Sequence, residues 1–320
     1  MEISDKMQES NGHLEEIMNW IESLQSAITY MEDHLFEPVS ATDIARYCGY
    51  SEGHLQRGFA IVTGYTFAEY LRNRRLYLAA LELRDHPKLK IIDAALKYGY
   101  ESPDAFSRAF RKFHGCNPHQ IRSEEASITT FLPLQIHLSV RGGKSMDYQL
   151  QNIPEFTVIG KTFTISSEEN SFEVIPRMWE EFMTKCIALM NEKDPSAQDD
   201  AEKKAIWQNN IGEFGICDDS QSDHMEYLIA GKYRGGEVPE GYVLKTYPAY
   251  QWAMFSSLGP VPQSLQKTVT QIFTEWLPSN PDYQLDGEIS IEYYPMGDTH
   301  ALDYQPQVWI PVRAKNDSEK

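Results

Sequence analysis

The sequence predicts a two-domain protein: an all-α domain with two helix-turn-helix units, followed by an α+β domain of two βαββ units. Three observations carry this prediction. A short phrase occurs twice, as GYSEGHLQRGF at 49–59 and as GYESPDAFSRAF at 99–110. Both copies lie in a basic block of an otherwise acidic chain. After about residue 128, the order strand, helix, strand, strand occurs twice, so we expect domains 1–127 and 128–320 with a boundary near Ser127.

The net charge of −18 hides an uneven distribution of charged residues. Residues 1–37 carry one Lys or Arg against nine Asp or Glu, and residues 125–320 carry fifteen against twenty-nine. Residues 38–124 carry thirteen against nine, which makes this block net positive. Because polyanion binding depends on a local patch rather than on the total charge, the acidic balance does not exclude DNA.

Several classes of protein are disfavoured by what the sequence lacks. Its four cysteines lie far apart, with no C-x-x-C pair and no His at zinc spacing, which indicates reduced thiols and no metal site. No apolar run approaches the ~20 residues that cross a bilayer, and the acidic N-terminus is unlike a signal peptide. A serine elbow and a Gly-rich phosphate loop are also missing. We therefore expect a cytoplasmic protein with no catalytic residue, no metal and no cofactor.

An amphipathic helix of about six turns is predicted near the N-terminus. Its apolar residues alternate at spacings of three and four: Leu14, Ile17, Ile21, Leu24, Ile28, Met31 and Leu35. Pro38 ends this helix. The apolar stripe either packs onto the following domain or forms the seam of a coiled-coil homodimer, and the spacing leaves both alternatives open.

The first copy of the repeated phrase has the signals of a helix-turn-helix unit. Ser40 can cap a helix over 41–48, and Gly49 supplies a sharp turn. Ser51 is then the expected cap of a second helix that runs to about Thr63.

The second copy follows the same pattern. A helix over 91–98 leads into Gly99, Ser102 caps the next helix, and Pro103 occupies its first position, where the missing N–H costs nothing. The inner faces of the two second helices are expected to be Leu55, Phe59 and Val62 in one copy and Phe106, Phe110 and Phe113 in the other. A helix over 66–85 lies between the copies and would fix their separation.

The stretch from about Ile21 to Arg122 resembles the DNA-binding domain of AraC/XylS-type transcription regulators. The resemblance rests on SATDIARYCGYSEGHLQRGF, TGYTFAEYLRNRRLYLAALEL and IIDAALKYGYESPDAFSRAFRKFHGCNPHQIR. It implies binding as a monomer, with two recognition helices in successive major-groove segments about one turn (~34 Å) apart.

The outward faces of the two recognition helices supply the residues expected to bind DNA. These are His54, Gln56, Arg57, Asp104, Ser107, Arg108, Arg111 and Lys112. The resemblance places Gln56 and Arg57 at family contact positions, and does the same for Ser107 and Arg108. Gln and Arg can pair with adenine and guanine, whereas Arg111 and Lys112 suit phosphates. The alternative, that these are solvated surface residues, stays open.

The first unit departs from the family pattern at three positions. Gly53 has no side chain where the family often has a large one. Ala60 and Ile61 stand where the family often has Lys. We therefore expect the first unit to hold DNA phosphates more weakly, with a shallow salt dependence.

The second half of the chain alternates between strand and helix patterns. LQIHLSV, MDYQLQNI, FTVIGKTFTI, IGEFGICDD, HMEYLIAGKY, YVLKTYPAYQWAMFSSLG, EISIEYYP and VWIPVR are strand-like, with RGGK as a hairpin turn after the first. Helices are predicted over 172–190 and 262–277, and NEKDPSAQDDAEKK is expected to be a polar loop. The order suggests a pseudo-symmetric fold of two βαββ units around one sheet.

This half resembles the GyrI-like effector-binding domain that follows a DNA-binding domain in some multidrug and stress regulators. The resemblance rests on NIPEFTVIGKTF, FGICDD, YPAYQWAMFSSLGPV, FTEWLP, ISIEYYP and WIPV. It implies that Glu292 lies at the bottom of an aromatic pocket for ligands that are often cationic. The expected ligand-binding residues are Glu292, Trp252, Tyr227, Phe214, Tyr294 and Trp309, although for any one aromatic a core position is an open alternative.

The leading hypothesis is a transcription regulator, an activator by family habit, that binds a promoter site in double-stranded DNA and responds to a small-molecule effector. RNA polymerase is a candidate further partner, and no membrane partner is expected. The alternative is that the C-terminal domain is a hydrolase or detoxifying enzyme, with Glu292 and Tyr227 as acid–base groups. A third reading is a protein-binding module whose acidic groove engages a basic partner.

Overall fold

The computed structural model describes residues 20–123, 126–136, 146–166, 169–191, 200–220 and 224–315. They form two compact units, a helical unit within Ile21–Ser139 and a sheet unit within Val140–Lys320. Every described strand lies in the sheet unit. The predicted order, an all-α domain followed by an α+β domain, is confirmed, while the boundary near Ser127 stays a prediction.

The helical unit begins in α1, whose described part covers 20–33 and whose first described residue, Trp20, groups with the sheet unit instead. It continues with α2 (Ala41–Cys48), α3 (Glu52–Thr63), α4 (Phe67–Asp85), α5 (Ile91–Lys97), α6 (Pro103–His114) and a 3-10 turn, Gln120–Arg122. Helices α2 and α3 form the first helix-turn-helix unit, and α5 and α6 form the second.

In the first unit, one of the two expected caps is present. Ser40 Oγ accepts a hydrogen bond from the Asp43 N–H, and the Asp43 carboxylate accepts from the Ser40 N–H, which makes a capping box at the start of α2. Gly49 closes the turn at φ +75°, a left-handed conformation that glycine adopts without strain. Ser51 occupies the N-cap position of α3, as predicted, but its buried hydroxyl makes no capping bond and has no partner within the described residues.

In the second unit, the expected signals are all present. Ser102 Oγ accepts a hydrogen bond from the Ala105 N–H at 3.2 Å. Pro103 is the first residue of α6, and Gly99 closes the turn at φ +82°. The start of α6 is therefore fixed by a side-chain bond that α3 lacks.

The inner faces of α3 and α6 match the expected stripes at their first two positions. Buried there are Leu55, Phe59, Phe106 and Phe110. The third positions, Val62 and Phe113, are only partly buried. Ile61, at a position where the resembling family often has Lys, is buried, because the buried face of α3 extends to the side of Gly58 and Ile61.

The apolar stripe of helix α1 is buried within the chain. Leu24, Ile28 and Met31 are buried, as the packing alternative predicts. At the end of the stripe, Glu32 forms an ion pair with Arg74 of α4 at 2.7 Å, and both side chains are largely buried. The sequence pattern did not predict this pair, which ties α1 to the helix between the two helix-turn-helix units.

The described strands of the sheet unit form one sheet, and helices connect some of them along the chain. Its elements are β1 (Tyr148–Ile153), β2 (Phe156–Ser166), α7 (Ser171–Asn191), α8 (Ala201–Asn209), β3 (Phe214–Asp218), β4 (His224–Lys232), β5 (Val243–Tyr247), β6 (Tyr250–Ser256), α9 (Gln263–Gln271), β7 (Tyr283–Leu285), β8 (Ile289–Tyr293) and β9 (Gln307–Ala314). A π-helix, Ile272–Trp276, and a last turn, α10 (Leu277–Ser279), extend α9.

The strand order is β1-β6-β9-β8-β3-β4-β2-β5, with β7 also paired to β9. Two βαββ units, β2-α7-β3-β4 and β6-α9-β8-β9, therefore meet at the β3–β8 pair, as the sequence predicts. The edge strands are exchanged between these units: β1 leads into β2 but pairs with β6, and β5 leads into β6 but pairs with β2.

Three local predictions for the sheet unit differ from the structure or fall outside it. The segment AEKK is the start of α8 rather than a loop, because Asp200 accepts from the Lys203 N–H and caps a helix there. Residues 134–136, expected to begin a strand, have no strand structure. The RGGK turn at 141–144, like the predicted helix before residue 20, lies outside the described residues.

The sheet has two differently built faces. The helix-covered face packs against α7 and α8 through Ile159, Phe182, Cys186, Ile206, Tyr227 and Ile229. The opposite face carries Val158, Phe214, Ile216, Leu228, Trp252 and Ile291. In the described residues, no helix is long and apolar enough to span a bilayer.

Candidate functional site

The second recognition helix, α6, presents its expected DNA-binding residues to solvent. Asp104, Arg108, Arg111 and Lys112 are exposed, and Ser107 is partly exposed. The buried rings of Phe106 and Phe110 on the other side of the helix fix which face points outward. Three cations on one exposed helix face can contact phosphates and base edges.

The first recognition helix, α3, presents its expected residues less openly. His54, Gln56 and Arg57 are each partly buried, and each already makes contacts within the protein. Tyr50 stacks on His54, with 5.9 Å between the ring centroids. Burial, together with the charge of Arg57, lowers the pKa of His54 to about 4, so the imidazole is neutral at pH 7. Of these three residues, only Arg57 carries charge at that pH.

In the sheet unit, Glu292 is the acceptor of a short hydrogen-bond network on the helix-covered face. The Tyr227 and Tyr294 hydroxyls each donate to Glu292 Oε2 at 2.9 Å. The Trp179 indole N–H donates in turn to the Tyr227 hydroxyl at 2.7 Å. Strand pairing places Glu292 directly across from Gly215 on β3.

The two tyrosines of this network are protonated donors. Burial and the neighbouring charge of Glu292 raise the pKa values of Tyr227 and Tyr294 well above the usual range of a phenol. Both phenols therefore keep their protons near neutral pH and donate to Glu292. Hydrogen bonds to an ionised acceptor are stronger than neutral ones, so the two tyrosines hold the carboxylate in a fixed orientation.

Trp179 is the part of this network that the sequence analysis missed. It lies on α7, is partly buried, and packs against the Tyr294 ring with 4.6 Å between centroids. The pattern showed it as one of several apolar residues on an amphipathic helix. Its position three residues before the buried Phe182 was compatible with a purely structural role, and only the fold brings it to Glu292.

The six expected ligand-binding residues fall into two groups. Glu292, Tyr227 and Tyr294 are brought together. Phe214, Trp252 and Trp309 lie on the opposite face, in an aromatic cluster with Tyr293. The separation follows from strand geometry, because neighbouring residues on a strand point to opposite faces. Within the described residues, no group of His, Cys, Asp and Glu has the arrangement of a metal site.

Comparison with known proteins identifies the sheet unit. The family model for integron-associated effector binding proteins matches residues 149–312, which is more than half of the chain. The chain belongs to this family. A helix-turn-helix domain model also matches residues 44–124, which include both units described above except the first three residues of α2.

Several curated relatives of this effector-binding protein are transcription regulators. The transcriptional regulator Rob of Salmonella typhimurium is 27% identical over 308 residues, covering 91% of this chain and 98% of Rob. The regulatory protein SoxS of the same organism is 40% identical over 99 residues, covering 31% of this chain and 92% of SoxS. The solved structure of SAV2435 bound to tetraphenylphosphonium is 20% identical, with a TM-score of 0.43, and covers 54% of this chain and 98% of SAV2435.

The two family models and the curated relatives confirm both resemblances, to the AraC-type DNA-binding domain and to the GyrI-like effector-binding domain. The protein is a DNA-binding transcription regulator with a small-molecule effector domain. The hydrolase alternative finds no support among these relatives, which are regulators.

Proposed function

We propose that α3 and α6 read two successive major-groove segments of a promoter site, and that a cationic aromatic effector binds at Glu292 and changes the affinity for that site. The observation that carries the effector part is the Glu292 carboxylate, oriented by two tyrosine hydroxyls and flanked by the Trp179 and Tyr294 rings.

The chemistry of the site favours a cation over an anion. A carboxylate beside aromatic faces attracts a positive charge both by direct Coulomb interaction and through the ring quadrupoles. A partly buried carboxylate also gains from a counter-ion that replaces the water it has lost. The formal charge of residues 125–320, net −14, supports the same sign of ligand.

The DNA part rests on the exposed face of α6 and its counterpart on α3. We expect Arg108 and Ser107 to contact base edges, and Arg111 and Lys112 to contact phosphates. Asp104 suits only a donor such as the amino group of cytosine. On α3 the corresponding readers are Gln56 and Arg57, with neutral His54 beside them.

The effector site is tested with tetraphenylphosphonium, a lipophilic cation whose charge is surrounded by aromatic rings. Isothermal titration of the full-length protein should give saturable binding that Glu292→Gln weakens by on the order of tenfold or more, which corresponds to ~1.4 kcal/mol. The matched control is Glu275→Gln, which changes an exposed carboxylate in the π-helix. Equal weakening by both substitutions would contradict a specific site at Glu292.

The DNA interface is tested on a duplex obtained by in vitro selection with the full-length protein. Arg57→Ala and Arg108→Ala should each weaken binding to the selected site, whereas Arg84→Ala, an exposed arginine at the end of α4, should not. Unchanged affinity in both recognition-helix variants would refute the assignment of the two helices.

The last parts of the proposal are the direction of regulation, the remaining partners and the cellular location. We place the protein in the cytoplasm, as a monomer on DNA that acts as an activator and recruits RNA polymerase. In vitro transcription from a promoter that carries the selected site should increase on addition of the protein. A decrease would show that it is a repressor, and sedimentation of the complex would reveal a dimer.

A further inference from the structure

Gly215 occupies the position on β3 directly across from Glu292. A Cβ built on Gly215 would overlap the Tyr227 hydroxyl oxygen, and it would lie 3.0 Å from Glu292 Oε2 and from Tyr227 Cζ. Any other residue at this position would therefore compete for the space that the hydroxyl occupies. The conflict involves a side chain of the hydrogen-bond network rather than the backbone.

Gly231 on β4 shows the contrasting case within the same sheet. A Cβ there would overlap the Asn209 carbonyl oxygen and lie 2.6 Å from the Asn210 carbonyl oxygen, both of which are backbone atoms. Gly231 thus makes room for a chain crossing. No change in a neighbouring side chain can relieve that conflict, whereas the conflict at Gly215 depends on one hydroxyl group.

We propose that Gly215 is a positioning residue of the effector site, whose missing side chain lets the Tyr227 hydroxyl sit between Trp179 and Glu292. The proposal rests on the function proposed for Glu292. A displaced hydroxyl would break the 2.7 Å bond from Trp179 and the 2.9 Å bond to Glu292 together. The orientation of the carboxylate and its connection to α7 therefore depend on the same glycine.

A double-mutant cycle separates this role from a general need for glycine in the strand. Gly215→Ala alone should lower the melting temperature of the full-length protein by several degrees. In the Tyr227→Phe background, where the overlapping atom is gone, the same substitution should cost less than half as much. Gly231→Ala should cost the same in both backgrounds. Equal losses for Gly215→Ala in the two backgrounds would overturn the proposal.

The affinity for tetraphenylphosphonium is a second measurement, and it should not change if the role of Gly215 is purely structural. Gly215→Ala and Tyr227→Phe should each weaken binding, and the double variant should bind no more weakly than the weaker of the two single variants, because both changes remove the same contact. Wild-type affinity in a folded Gly215→Ala protein would contradict the positioning role.

Two further outcomes distinguish a failure of this proposal from a failure of the proposed effector chemistry and from misfolding of a variant. If the wild-type protein does not bind the probe, the proposed effector chemistry fails, while the melting-temperature cycle still decides the role of Gly215. If Gly215→Ala alone does not fold, the double variant with Tyr227→Phe should fold. A double variant that also fails to fold would refute the proposal.

Discussion

The two helix-turn-helix units have the same scaffold and different outer surfaces. Each closes its turn with a left-handed glycine, Gly49 or Gly99, and each buries two residues of its recognition helix completely. The recognition helix of the second unit, α6, has a serine cap and an exposed row of charged residues, whereas the recognition helix of the first, α3, has no side-chain cap and its DNA-reading residues are partly buried. The comparison shows that packing fixes the inner positions of such a repeat and leaves the outer positions free to differ.

The largest expected effect tests whether the two scaffolds are equivalent. Phe59→Ala and Phe106→Ala should each lower the free energy of unfolding by ~3–5 kcal/mol, because both rings are fully buried. Urea unfolding of the full-length protein, followed by its helical circular dichroism, measures the loss. Val62→Ala, at a partly buried position, is the control and should cost far less. A large difference between the two phenylalanines would show that the scaffolds are not equivalent.

The next effect tests the difference in exposure between the two reading faces. Arg108→Ala should weaken binding to the selected DNA site by ~10- to 100-fold, or ~1–3 kcal/mol, as expected for an arginine that pairs with a base. Arg57→Ala should cost less, because Arg57 is partly buried and already has contacts within the protein. Fluorescence anisotropy at fixed salt gives both values. The reverse order would contradict the comparison.

A third prediction concerns the helix caps. Ser102→Ala removes a capping hydrogen bond and should destabilise the protein by ~1 kcal/mol. Ser51→Ala removes a buried hydroxyl that caps nothing, so the free energy of unfolding should change by less than ~0.5 kcal/mol. Each of the two variants is the control for the other, because the same substitution is made at matching positions of the two recognition helices. A larger cost at Ser51 would mean that its hydroxyl has a bonding role.

The salt dependence of DNA binding tests the prediction that the first unit binds DNA phosphates weakly. Lys112→Ala should reduce the slope of log affinity against log salt concentration by ~1, the value for one phosphate contact. Ala60→Lys, which restores a residue type frequent in the resembling family, should raise the slope by about the same amount. A slope that stays constant after Ala60→Lys would place that position away from the DNA backbone.

The last prediction concerns the pH dependence of stability. The native pKa of His54, lowered to about 4 by burial, lies below the value near 6.5 of an unfolded histidine. The unfolded state therefore binds the proton first, and stability should fall as the pH is lowered from about 6.5 towards 4. Burial also lowers the pKa of His114 in the second unit, so His54→Gln should flatten the profile only in part. An unchanged melting-temperature profile in His54→Gln would contradict this account.

The sequence predicted the helical unit well, because helix periods, caps and glycine turns are local signals. Helices α2, α3 and α6 begin and end where those signals indicate. The Glu32–Arg74 pair was missed because it joins positions forty-two residues apart, and no local pattern marks such a pair. Ser51 stands at the predicted cap position without making a capping bond, because a serine at a helix start permits such a bond without ensuring one.

The sheet unit was predicted in outline and less well at its site. Alternation placed Tyr294 on the side of Glu292, which agrees with the hydrogen bond between them. It could not relate Phe214 or Trp252 to Glu292, because these residues lie on different strands, and their relative faces depend on strand register. Trp179 belongs to a helix, and only the packing of α7 on the sheet reveals its link to Tyr227.

The exchange of edge strands β1 and β5 has a consequence for how the sheet unit can be divided. A cut in the loop between β4 and β5 would yield two fragments, the first with β1 and β2 and the second with β5 and β6. Each fragment would carry the outer strand of the other and lack its own. The two fragments would thus be complementary, so the sheet unit is a natural scaffold for a split reporter whose halves reassemble through three strand pairings, β1–β6, β2–β5 and β3–β8.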